Sequence, residues 1–312
     1  MKVLVTGAAG FIGSNLCMEL GIRGHTVLGL DNLSSLTYPS AFKEKNISYL
    51  KLKLENNFRF IHGDVRNLSN IEKIVDEVDI IFNLAGVAGQ SESWTKISEY
   101  TENNIVAVNR LLSFSAPRGK TIIHASTSSV YGNSSRASED SQISPVSPYG
   151  ITKYASEQLI DTYAQNFDFD FKILRFFSVY GPRQRPDMGI YKFIRKALNS
   201  ENIELYGNGL ALRTFTYVDD CVSAIISAGE NKTENKIFNI CGSQIVTILE
   251  LITSIEEIIS KKIEVRQHHN RLGDQLISIG DNTRIKKELN FSERFNLQAG
   301  LSEQIKWMKT IE

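Results

Sequence analysis

Short apolar runs alternate with longer stretches of helical period over roughly the first 180 residues, and this rhythm restricts the fold more than any other feature. Six runs are rich in Val, Ile, Leu and Phe: KVLVTG, HTVLGLD, FRFIHGD, DIIFNLAG, TIIHAST and FKILRFFSVYG. Residues 12–23 and 149–166 are examples of the helical stretches between them. Nearly continuous apolar strands separated by helices indicate a parallel sheet with helices on both faces. The predicted fold class is therefore α/β, with a doubly wound parallel sheet.

The rhythm changes after the sixth run. Pro182 and Pro186 interrupt the chain, the helical stretches become shorter, and loops such as GNGLALR and HHNRLGD follow. We predict a sheet domain over residues 1–177 and a smaller C-terminal α/β lobe over residues 178–312. The run KIFNICG is predicted to return to the main sheet near residues 236–241, so the two parts of the chain are not divided at a single position.

Composition excludes several classes of function. The 312 residues contain 35 Lys+Arg and 35 Asp+Glu, so no charge excess favours binding to nucleic acid or to an anionic membrane. No apolar run reaches the ~18 residues that a membrane-spanning helix needs. Cys17, Cys221 and Cys241 are widely spaced and form no CxxC pair, which suits a reducing compartment and gives no zinc or disulfide framework. We predict a soluble cytoplasmic protein without a bound metal.

The stretch VLVTGAAGFIGSNL places Gly7, Gly10 and Gly13 directly after the first strand and at the start of a helix. The first glycine allows a tight turn, the second lets the backbone approach a pyrophosphate, and the third permits close helix–strand packing. This pattern is typical of a Rossmann-type dinucleotide-binding unit, in which the phosphates meet the helix N-terminus. Asp31 ends the second strand, where a carboxylate accepts hydrogen bonds from a ribose 2′-OH, so NAD is predicted rather than NADP. Asp64, after the third strand, either meets the adenine or caps a helix.

The stretch SPYGITK puts Tyr149 and Lys153 one helical turn apart and on the same face. Ser126, Thr127 and Ser128 follow the fifth strand, at the sheet edge where α/β proteins bind ligands. An ammonium group and an oxidised nicotinamide lower the pKa of a nearby phenol from its reference value of ~10. We therefore predict that Tyr149 is a general base that deprotonates a sugar hydroxyl while hydride leaves the same carbon. An isolated Tyr–Lys pair is as typical of a solvated helix edge, and the glycine turn and the serine cluster favour catalysis.

Five motifs occur in one order along essentially the whole chain: TGAAGFIG, STSSVYG, SPYGITK, LRFFSVYGPRQRPDM and RTFTYVDD. They resemble the extended short-chain dehydrogenase/reductase family, specifically its NAD-dependent nucleotide-sugar epimerases and dehydratases, and most of all UDP-glucuronate 4-epimerases. The resemblance implies bound NAD, a UDP-sugar substrate and a homodimer, with residues 1–177 as the NAD-binding Rossmann domain and residues 178–312 as the nucleotide-sugar-binding lobe. It also implies that Tyr149 is the base, that Lys153 binds the nicotinamide ribose, and that Thr127 assists at the sugar 4-hydroxyl.

The resemblance further implies two sets of binding residues. The NAD site is expected to include Gly7, Gly10, Phe11, Ile12, Gly13, Asp31, Asn32, Asp64, Val65, Leu84, Ala85, Gly86, Asn104, Tyr149, Lys153 and Phe176. The substrate site is expected to include Ser178, Arg185, Arg213, Arg271 and Asp274. Of these, Arg213 and Arg271 match positions that hold the UDP diphosphate, Asp274 matches one that holds the uridine ribose, and Arg185 matches one that holds a sugar carboxylate.

The residues after the fifth strand favour one reaction. Epimerases, dehydratases and decarboxylases of this kind all begin by moving hydride from sugar C4 to NAD. Dehydration also needs an acidic side chain to take the C5 proton and another to protonate the departing hydroxyl. Related dehydratases carry TDE, and related decarboxylases TSE, where this chain has Thr127-Ser128-Ser129. Without a carboxylate there, the keto sugar is expected to rotate and take hydride back on its other face, which is C4 epimerisation.

UDP-glucuronate, converted to UDP-galacturonate, is the expected substrate. Three departures keep alternatives open: Ser178 stands where threonine is usual, Ser91 where arginine is frequent, and Thr214 where aspartate is common. The alternatives are UDP-glucose, UDP-N-acetylglucosamine or its uronate as the epimerase substrate. A nucleotide-sugar dehydratase or decarboxylase, and a non-catalytic NAD-binding regulator on the same fold, are the others.

Overall fold

The structure is a computed structural model that describes residues 1–67, 71–270 and 275–311. The strands are β1 (Lys2–Thr6), β2 (Thr26–Asp31), β3 (Phe58–His62), β4 (Ile80–Asn83), β5 (Thr121–Thr127), β6 (Phe171–Phe176), β7 (Val179–Tyr180), β8 (Ile203–Tyr206), β9 (Leu212–Thr214), β10 (Thr216–Tyr217), β11 (Ile237–Ile240), β12 (Ile245–Thr247), β13 (Val265–His268) and β14 (Ile277–Ser278). The helices are α1 (Phe11–Ile22), α2 (Ser40–Leu54), α3 (Ile71–Asp76), α4 (Gln90–Ser93), α5 (Ile97–Thr101), α6 (Ala107–Ser115), α7 (Pro148–Ala164), α8 (Gly189–Leu198), α9 (Val218–Glu230), α10 (Ile248–Ile259), α11 (Thr283–Leu289) and α12 (Leu297–Ile311). A π-helical segment, Glu102–Val106, joins α5 to α6, and short 3₁₀ turns span Glu55–Asn57, Ala116–Arg118 and Ser128–Tyr131.

Seven strands form one sheet in the order β11-β6-β5-β4-β1-β2-β3, and every neighbouring pair is parallel. The chain winds outward from β1 to β3 on one side and from β4 to β11 on the other, so the winding reverses between β1 and β4. In open α/β sheets the ligand crevice lies at such a reversal, beyond the carboxyl ends of the strands. The predicted doubly wound parallel sheet is confirmed.

Side chains of β1 alternate between two cores because successive residues of a strand point to opposite faces. Val3 and Val5 are fully buried in the cluster that contains α1, α2 and α9. Leu4 is fully buried in the cluster on the other face, with α3 and α6. Burying an aliphatic side chain of this size stabilises a fold by about 1.5–3 kcal/mol. Both faces of the sheet are therefore covered by helices.

The two helices predicted at residues 12–23 and 149–166 form as α1 and α7, with ends that differ by one or two positions. The start of α7 follows from its first residues. Ser147 is the N-cap, and its Oγ accepts a hydrogen bond from the Gly150 N–H at 3.2 Å. Pro148 occupies the first helical position, where a missing N–H costs nothing. This fixed start sets the position of the catalytic candidates one turn later.

The later part of the chain contributes to the main sheet as well as to smaller ones. The run KIFNICG forms β11, which pairs in parallel with β6, and α9 packs against α1. Smaller sheets are β12-β9-β14, β10-β7 and β13-β8. One hydrophobic cluster extends from Val3 in β1 to Met308 in α12. The division between residues 177 and 178 stays a prediction.

Within residues 1–67, 71–270 and 275–311, no helix combines the length and the apolar character that crossing a membrane requires.

Candidate active site

A cavity of about 480 Å³ opens at the carboxyl ends of β1, β2, β4, β5 and β6. Its volume falls in the range of roughly 300–1,000 Å³ that is common for small-molecule and cofactor sites. The cavity lies at the winding reversal of the sheet. Its walls come from the glycine turn, the loops after β2, β3 and β4, the end of β5, the start of α7, and the segment after β6.

The glycine turn has no space for any side chain larger than hydrogen. Gly7 has a positive φ of 70°, and a Cβ there would lie 2.9 Å from the backbone of Leu84 and Ala85. A Cβ on Gly13 would lie 2.1 Å from the Gly7 carbonyl oxygen. Gly10 is the N-cap of α1 and provides no side-chain cap for the first N–H groups of the helix. These residues fit a dinucleotide pyrophosphate, because the uncapped helix start offers N–H donors and the positive end of its dipole.

Asp31 is buried at the cavity wall and also shapes the turn. Its Oδ2 accepts the Ala9 N–H at 3.1 Å, and its Oδ1 accepts the Leu33 N–H at 2.8 Å. Lys43, which the sequence did not suggest, lies with its Nζ 3.4 Å from Asp31 Oδ1 and also lines the cavity. A carboxylate has about four acceptor positions, so Asp31 keeps capacity for a ribose hydroxyl.

Asp64 lines the cavity but is held by a neighbour along the chain. Arg66 forms a fork with it, Nε to Oδ1 at 2.9 Å and Nη2 to Oδ2 at 2.7 Å, and Asn32 Nδ2 donates to Oδ2 at 2.8 Å. The hydrogen bonds from Arg66 hold the pKa of the Asp64 carboxyl well below its usual range. Asp64 is therefore ionised at any physiological pH.

Asn104 lies in the π-helical segment, a feature that is frequent at functional sites. Its side chain is buried and bonds to both backbone groups of Val87, with distances of 2.8 and 3.0 Å. Its Nδ2 also donates to Thr152 Oγ1 at 3.1 Å. Asn104 thus ties the loop after β4 to α7, and both of these elements line the cavity.

Tyr149 lies half-buried in the cavity wall and shares a hydrogen bond with Thr127. Its ring meets the edge of Tyr100, with centroids 6.1 Å apart. Burial raises the pKa of Tyr149 above its usual value, and the Thr127 hydrogen bond and the charge of Arg185 offset only part of this rise. The net direction is opposite to the lowering that was predicted from a nearby ammonium and an oxidised nicotinamide. The cation that acts on the phenol is Arg185, which comes from the segment after β6.

Lys153 is only 5% exposed and sits under the cavity. Burial lowers its pKa from 10.5 to about 8, and the carboxylate of Glu157 on the next turn of α7 opposes this change. Its Nζ lies 3.4 Å from His124 Nε2. Lys153 is thus mostly protonated at neutral pH, although its environment favours the neutral form.

A buried chain of polar groups beneath the cavity was not suggested by the sequence. Thr6 Oγ1 accepts the Ala85 N–H at 3.0 Å and donates to Asn83 Oδ1 at 2.7 Å. Asn83 Nδ2 then faces His124 Nδ1 at 3.0 Å, which assigns the imidazole proton to Nε2, 3.0 Å from Ser156 Oγ. Burial, reinforced by the charge of the adjacent lysine, lowers the pKa of His124 well below its usual value. The ring is therefore neutral, and the order of donors and acceptors is fixed from β1 to α7.

Ser126 lines the cavity, but its hydroxyl proton is directed into the protein. Its Oγ donates to Glu157 Oε1, and Glu157 forms an ion pair with Arg175 at 2.6 Å in which both side chains are almost fully buried. Arg175 also donates to the Tyr131 hydroxyl at 2.8 Å. Toward the cavity, the Ser126 hydroxyl can therefore act only as a hydrogen-bond acceptor. This differs from the predicted catalytic role, in which it would take a direct part in proton transfer.

Ser128 lies outside the cavity lining, in contrast to its predicted place beside the reacting sugar. Its Oγ lies 3.3 Å from Ser278 Oγ in β14. The 3₁₀ turn that begins at Ser128 rotates successive side chains away from the direction of the strand, so Thr127 and Ser128 face different surroundings. Ser129 stays near Thr127, with Oγ atoms 3.2 Å apart.

Arg185 and Ser178 both line the cavity. The Arg185 guanidinium forms a fork with Asp187, Nε to Oδ1 at 3.1 Å and Nη2 to Oδ2 at 2.6 Å. Its Nη2 also donates to the Ala88 carbonyl at 3.2 Å, and its central carbon lies 5.6 Å from the Tyr38 ring centre. The predicted carboxylate-binding arginine is thus already paired with a carboxylate of the protein.

The family model that describes the NAD dependent epimerase/dehydratase family matches residues 3–241. The chain belongs to this family.

Individual relatives match over the whole length. The crystal structure of UDP-glucuronic acid 4-epimerase from Bacillus cereus, in complex with UDP-glucuronic acid and NAD, is 36% identical, covers 100% of both chains and superposes with a TM-score of 0.95. An uncharacterized UDP-glucose epimerase of Bacillus subtilis (strain 168), YtcB, is 36% identical over 100% of this chain and 99% of its own length. A UDP-glucuronate 4-epimerase of Thermodesulfobacterium geofontis (strain OPF15) is 33% identical over 98% of this chain and 95% of its own length.

The residues predicted for the cofactor of this NAD dependent family converge on one place. Every residue proposed for the NAD site lines the cavity, from Gly7 to Phe176. Arg213 does not line it, and donates instead to the backbone carbonyls of Leu212 and Gln275. Arg271 and Asp274 lie outside the described residues. The epimerase/dehydratase family motifs therefore predict the cofactor-binding residues of the cavity better than the substrate-binding residues.

Proposed function

We propose that this protein is an NAD-dependent 4-epimerase of a UDP-sugar and that it converts UDP-glucuronate to UDP-galacturonate. Membership of the epimerase/dehydratase family supports the reaction class, and the Bacillus cereus structure with UDP-glucuronic acid and NAD supports the substrate. The family match and the residues of the cavity agree on NAD as the cofactor.

The observation that carries the choice of epimerisation is the set of hydroxyl groups after β5. Thr127 and Ser129 bond to each other, and Gln90 Nε2 donates to Ser129 Oγ at 3.1 Å. Two nearby carboxylates are engaged in ion pairs: Glu157, which accepts the Ser126 hydroxyl, pairs with Arg175 in the interior, and Asp187, which lines the cavity, pairs with Arg185. Neither is free to take a proton from sugar C5. A keto sugar formed here would keep its C5 proton, which argues against dehydration.

The proposed mechanism uses four side chains. Tyr149 takes the proton of the sugar 4-hydroxyl, and Thr127 shares a hydrogen bond with the phenol and orients that hydroxyl. The positive charge of Arg185 favours the phenolate over the phenol. Lys153, held one turn along α7, is placed to bind the nicotinamide ribose. When bound, NAD would supply an acceptor for the C4 hydride and, once reduced, a donor of that hydride.

UDP-glucose is the second candidate substrate, and a particular contact favours it. Because Asp187 pairs with Arg185 through two hydrogen bonds, the net charge at this point of the cavity is close to zero. A neutral hexose is therefore accommodated without desolvating an unpaired guanidinium. The Bacillus subtilis relative described as a UDP-glucose epimerase is consistent with this alternative.

We also propose that the protein is a cytoplasmic homodimer. The cysteines are all free and buried, which suits a reducing compartment. Trp94 and Ile151 are 50% and 55% exposed, and Ile97 and Val106 are exposed nearby on helices that pack against α7. An apolar surface of this kind is typical of a protein interface. Analytical ultracentrifugation of the wild type and of an Ile151→Lys variant tests the dimer.

Proton NMR of UDP-glucuronate incubated with the protein, without added NAD, tests the function. We expect UDP-galacturonate to accumulate to an equilibrium mixture. Tyr149→Phe should lower turnover by at least about 100-fold, because a general base contributes that much or more, and should retain its NAD. Tyr163→Phe, on the same helix, serves as the control and should keep its rate, because its hydroxyl donates to Asn109 Oδ1 at 3.1 Å, away from the cavity. A 4-keto-6-deoxy sugar or a pentose as the product would contradict the proposal.

A further inference from the structure

Arg185 is enclosed by partners from three separate segments. Asp187 takes its Nε and Nη2 donors, the Ala88 carbonyl takes a second Nη2 hydrogen, and the Tyr38 ring lies against its face. A guanidinium carries five N–H donors, and no hydrogen bond from Nη1 is found within the described ranges. The arginine therefore has a fixed position and one end available to a ligand.

The same guanidinium acts on the proposed base. Tyr149 is faced by Thr127 from β5, by Tyr100 from α5 and by the Arg185 charge from the segment after β6, with Lys153 on its own helix. Arg185 is in turn faced by Asp187, Tyr38 and the Tyr149 phenol. Asp187 is the one carboxylate that pairs with this cation within the described residues.

We propose that Asp187 is a positioning residue that sets the effective charge of Arg185, and that it thereby tunes the choice between a uronate and a neutral hexose. This inference rests on the proposed function. The two hydrogen bonds to Asp187 fix the orientation of Arg185 Nη1, and the Asp187 carboxylate offsets most of the guanidinium charge. A substrate carboxylate must therefore share Arg185 with Asp187, whereas a sugar hydroxyl meets a pair that is nearly neutral.

Replacing the Asp187 carboxylate by an amide separates its effect on the charge of Arg185 from its effect on the position of Arg185. In Asp187→Asn the side-chain oxygen can still accept one hydrogen bond, and the Ala88 carbonyl and the Tyr38 ring remain. The arginine then keeps its place but carries an uncompensated positive charge. The attraction for a carboxylate rises because a neighbouring opposite charge is no longer present to offset it.

The experiment measures binding of UDP-glucuronate and UDP-glucose to the NAD-loaded protein by titration calorimetry. We expect Asp187→Asn to lower the Kd for UDP-glucuronate by about tenfold, or about 1.4 kcal/mol. The Kd for UDP-glucose should change less than about twofold, because a neutral sugar gains little from the added charge. The acid limb of kcat/KM should also move to lower pH, because the freed charge favours the Tyr149 phenolate. Asp161→Asn removes a charge from the exposed end of α7 and should change none of these values.

A second background tests whether the effect of Asp187 acts through Arg185. In an Arg185→Gln background, Asp187→Asn should no longer discriminate between the two sugars, because its effect acts through the arginine. Equal changes for both ligands, or discrimination that persists without Arg185, would overturn the role of Asp187. If neither UDP-sugar binds the wild-type protein, the proposed function itself fails. If both bind and Asp187→Asn alone does not discriminate between them, only the inference about Asp187 fails.

Discussion

Burial of the Lys153 ammonium carries a cost in stability that can be measured. Burial lowers the pKa of Lys153 from 10.5 to about 8, and the Glu157 carboxylate opposes only part of this effect. At about 1.4 kcal/mol for each pKa unit, the fall corresponds to roughly 3 kcal/mol in the free energy of unfolding. We expect Lys153→Met, which keeps the length of the side chain and removes the charge, to be more stable than the wild type by roughly 3 kcal/mol at pH 7 while losing turnover.

The effect should depend on pH in a defined direction. Because the pKa of Lys153 is lower in the fold than in the unfolded chain, the unfolded chain binds more protons between about pH 8 and pH 10.5. The stability of the wild type therefore rises with pH in that window. The cost is fully present below about pH 8 and disappears as the pH approaches 10.5. The advantage of the methionine variant should fall to about half its pH 7 value at about pH 9.5.

Urea unfolding followed by circular dichroism, at pH 7 and at about pH 9.5, provides the measurement. Both proteins must first be freed of nucleotide, because a ligand that binds only the folded state raises the apparent stability. Lys192→Met, at an exposed position in α8, is the matched control and should change stability by less than about 0.5 kcal/mol. The cost assigned to the buried Lys153 ammonium is refuted if Lys153→Met is no more stable than the wild type at pH 7, or if its advantage is the same at both pH values.

Two further predictions concern the backbone around the site. Gly13→Ala should abolish NAD retention, measured as nucleotide released on denaturation, since its Cβ would lie 2.1 Å from the Gly7 carbonyl oxygen; Gly189→Ala, with nothing within 4 Å, should retain NAD. Ser147→Ala should lower the free energy of unfolding by about 1 kcal/mol, because the N-cap bond to Gly150 is lost. Urea midpoints test the second prediction, and an unchanged midpoint would show that the cap contributes nothing.

The sequence predicted the parts of the site that depend on local backbone rules. The spacing of Gly7, Gly10 and Gly13 specifies a turn that only hydrogen side chains allow, and the cavity lies beside that turn. Helical spacing brings Tyr149 and Lys153 to the same wall. These patterns can be interpreted without a structure because each one concerns residues within one turn or one strand.

Ser128 illustrates why other predictions missed. Position in sequence placed it with Thr127 at the end of β5, but the 3₁₀ turn directs it toward Ser278, 150 residues further along the chain. The polar chain through His124 is likewise invisible in sequence, because its members come from three strands and a helix. Asp187 stands inside a motif that the sequence did identify, yet nothing in the spacing shows that it pairs with Arg185 rather than with a ligand.

By itself, the sequence determined the parallel sheet, the glycine turn and the pairing of a phenol with an ammonium on one helix face, because hydrophobic period, glycine spacing and helical pitch act over a few residues. Only the tertiary structure decided which charges meet. It placed the charge of Arg185 near the Tyr149 phenol, paired that arginine with a carboxylate, and buried Lys153 beside a neutral imidazole. The physical reason is that the energy of a charge depends on its burial and on neighbours within a few ångströms, and both are set by how distant segments pack.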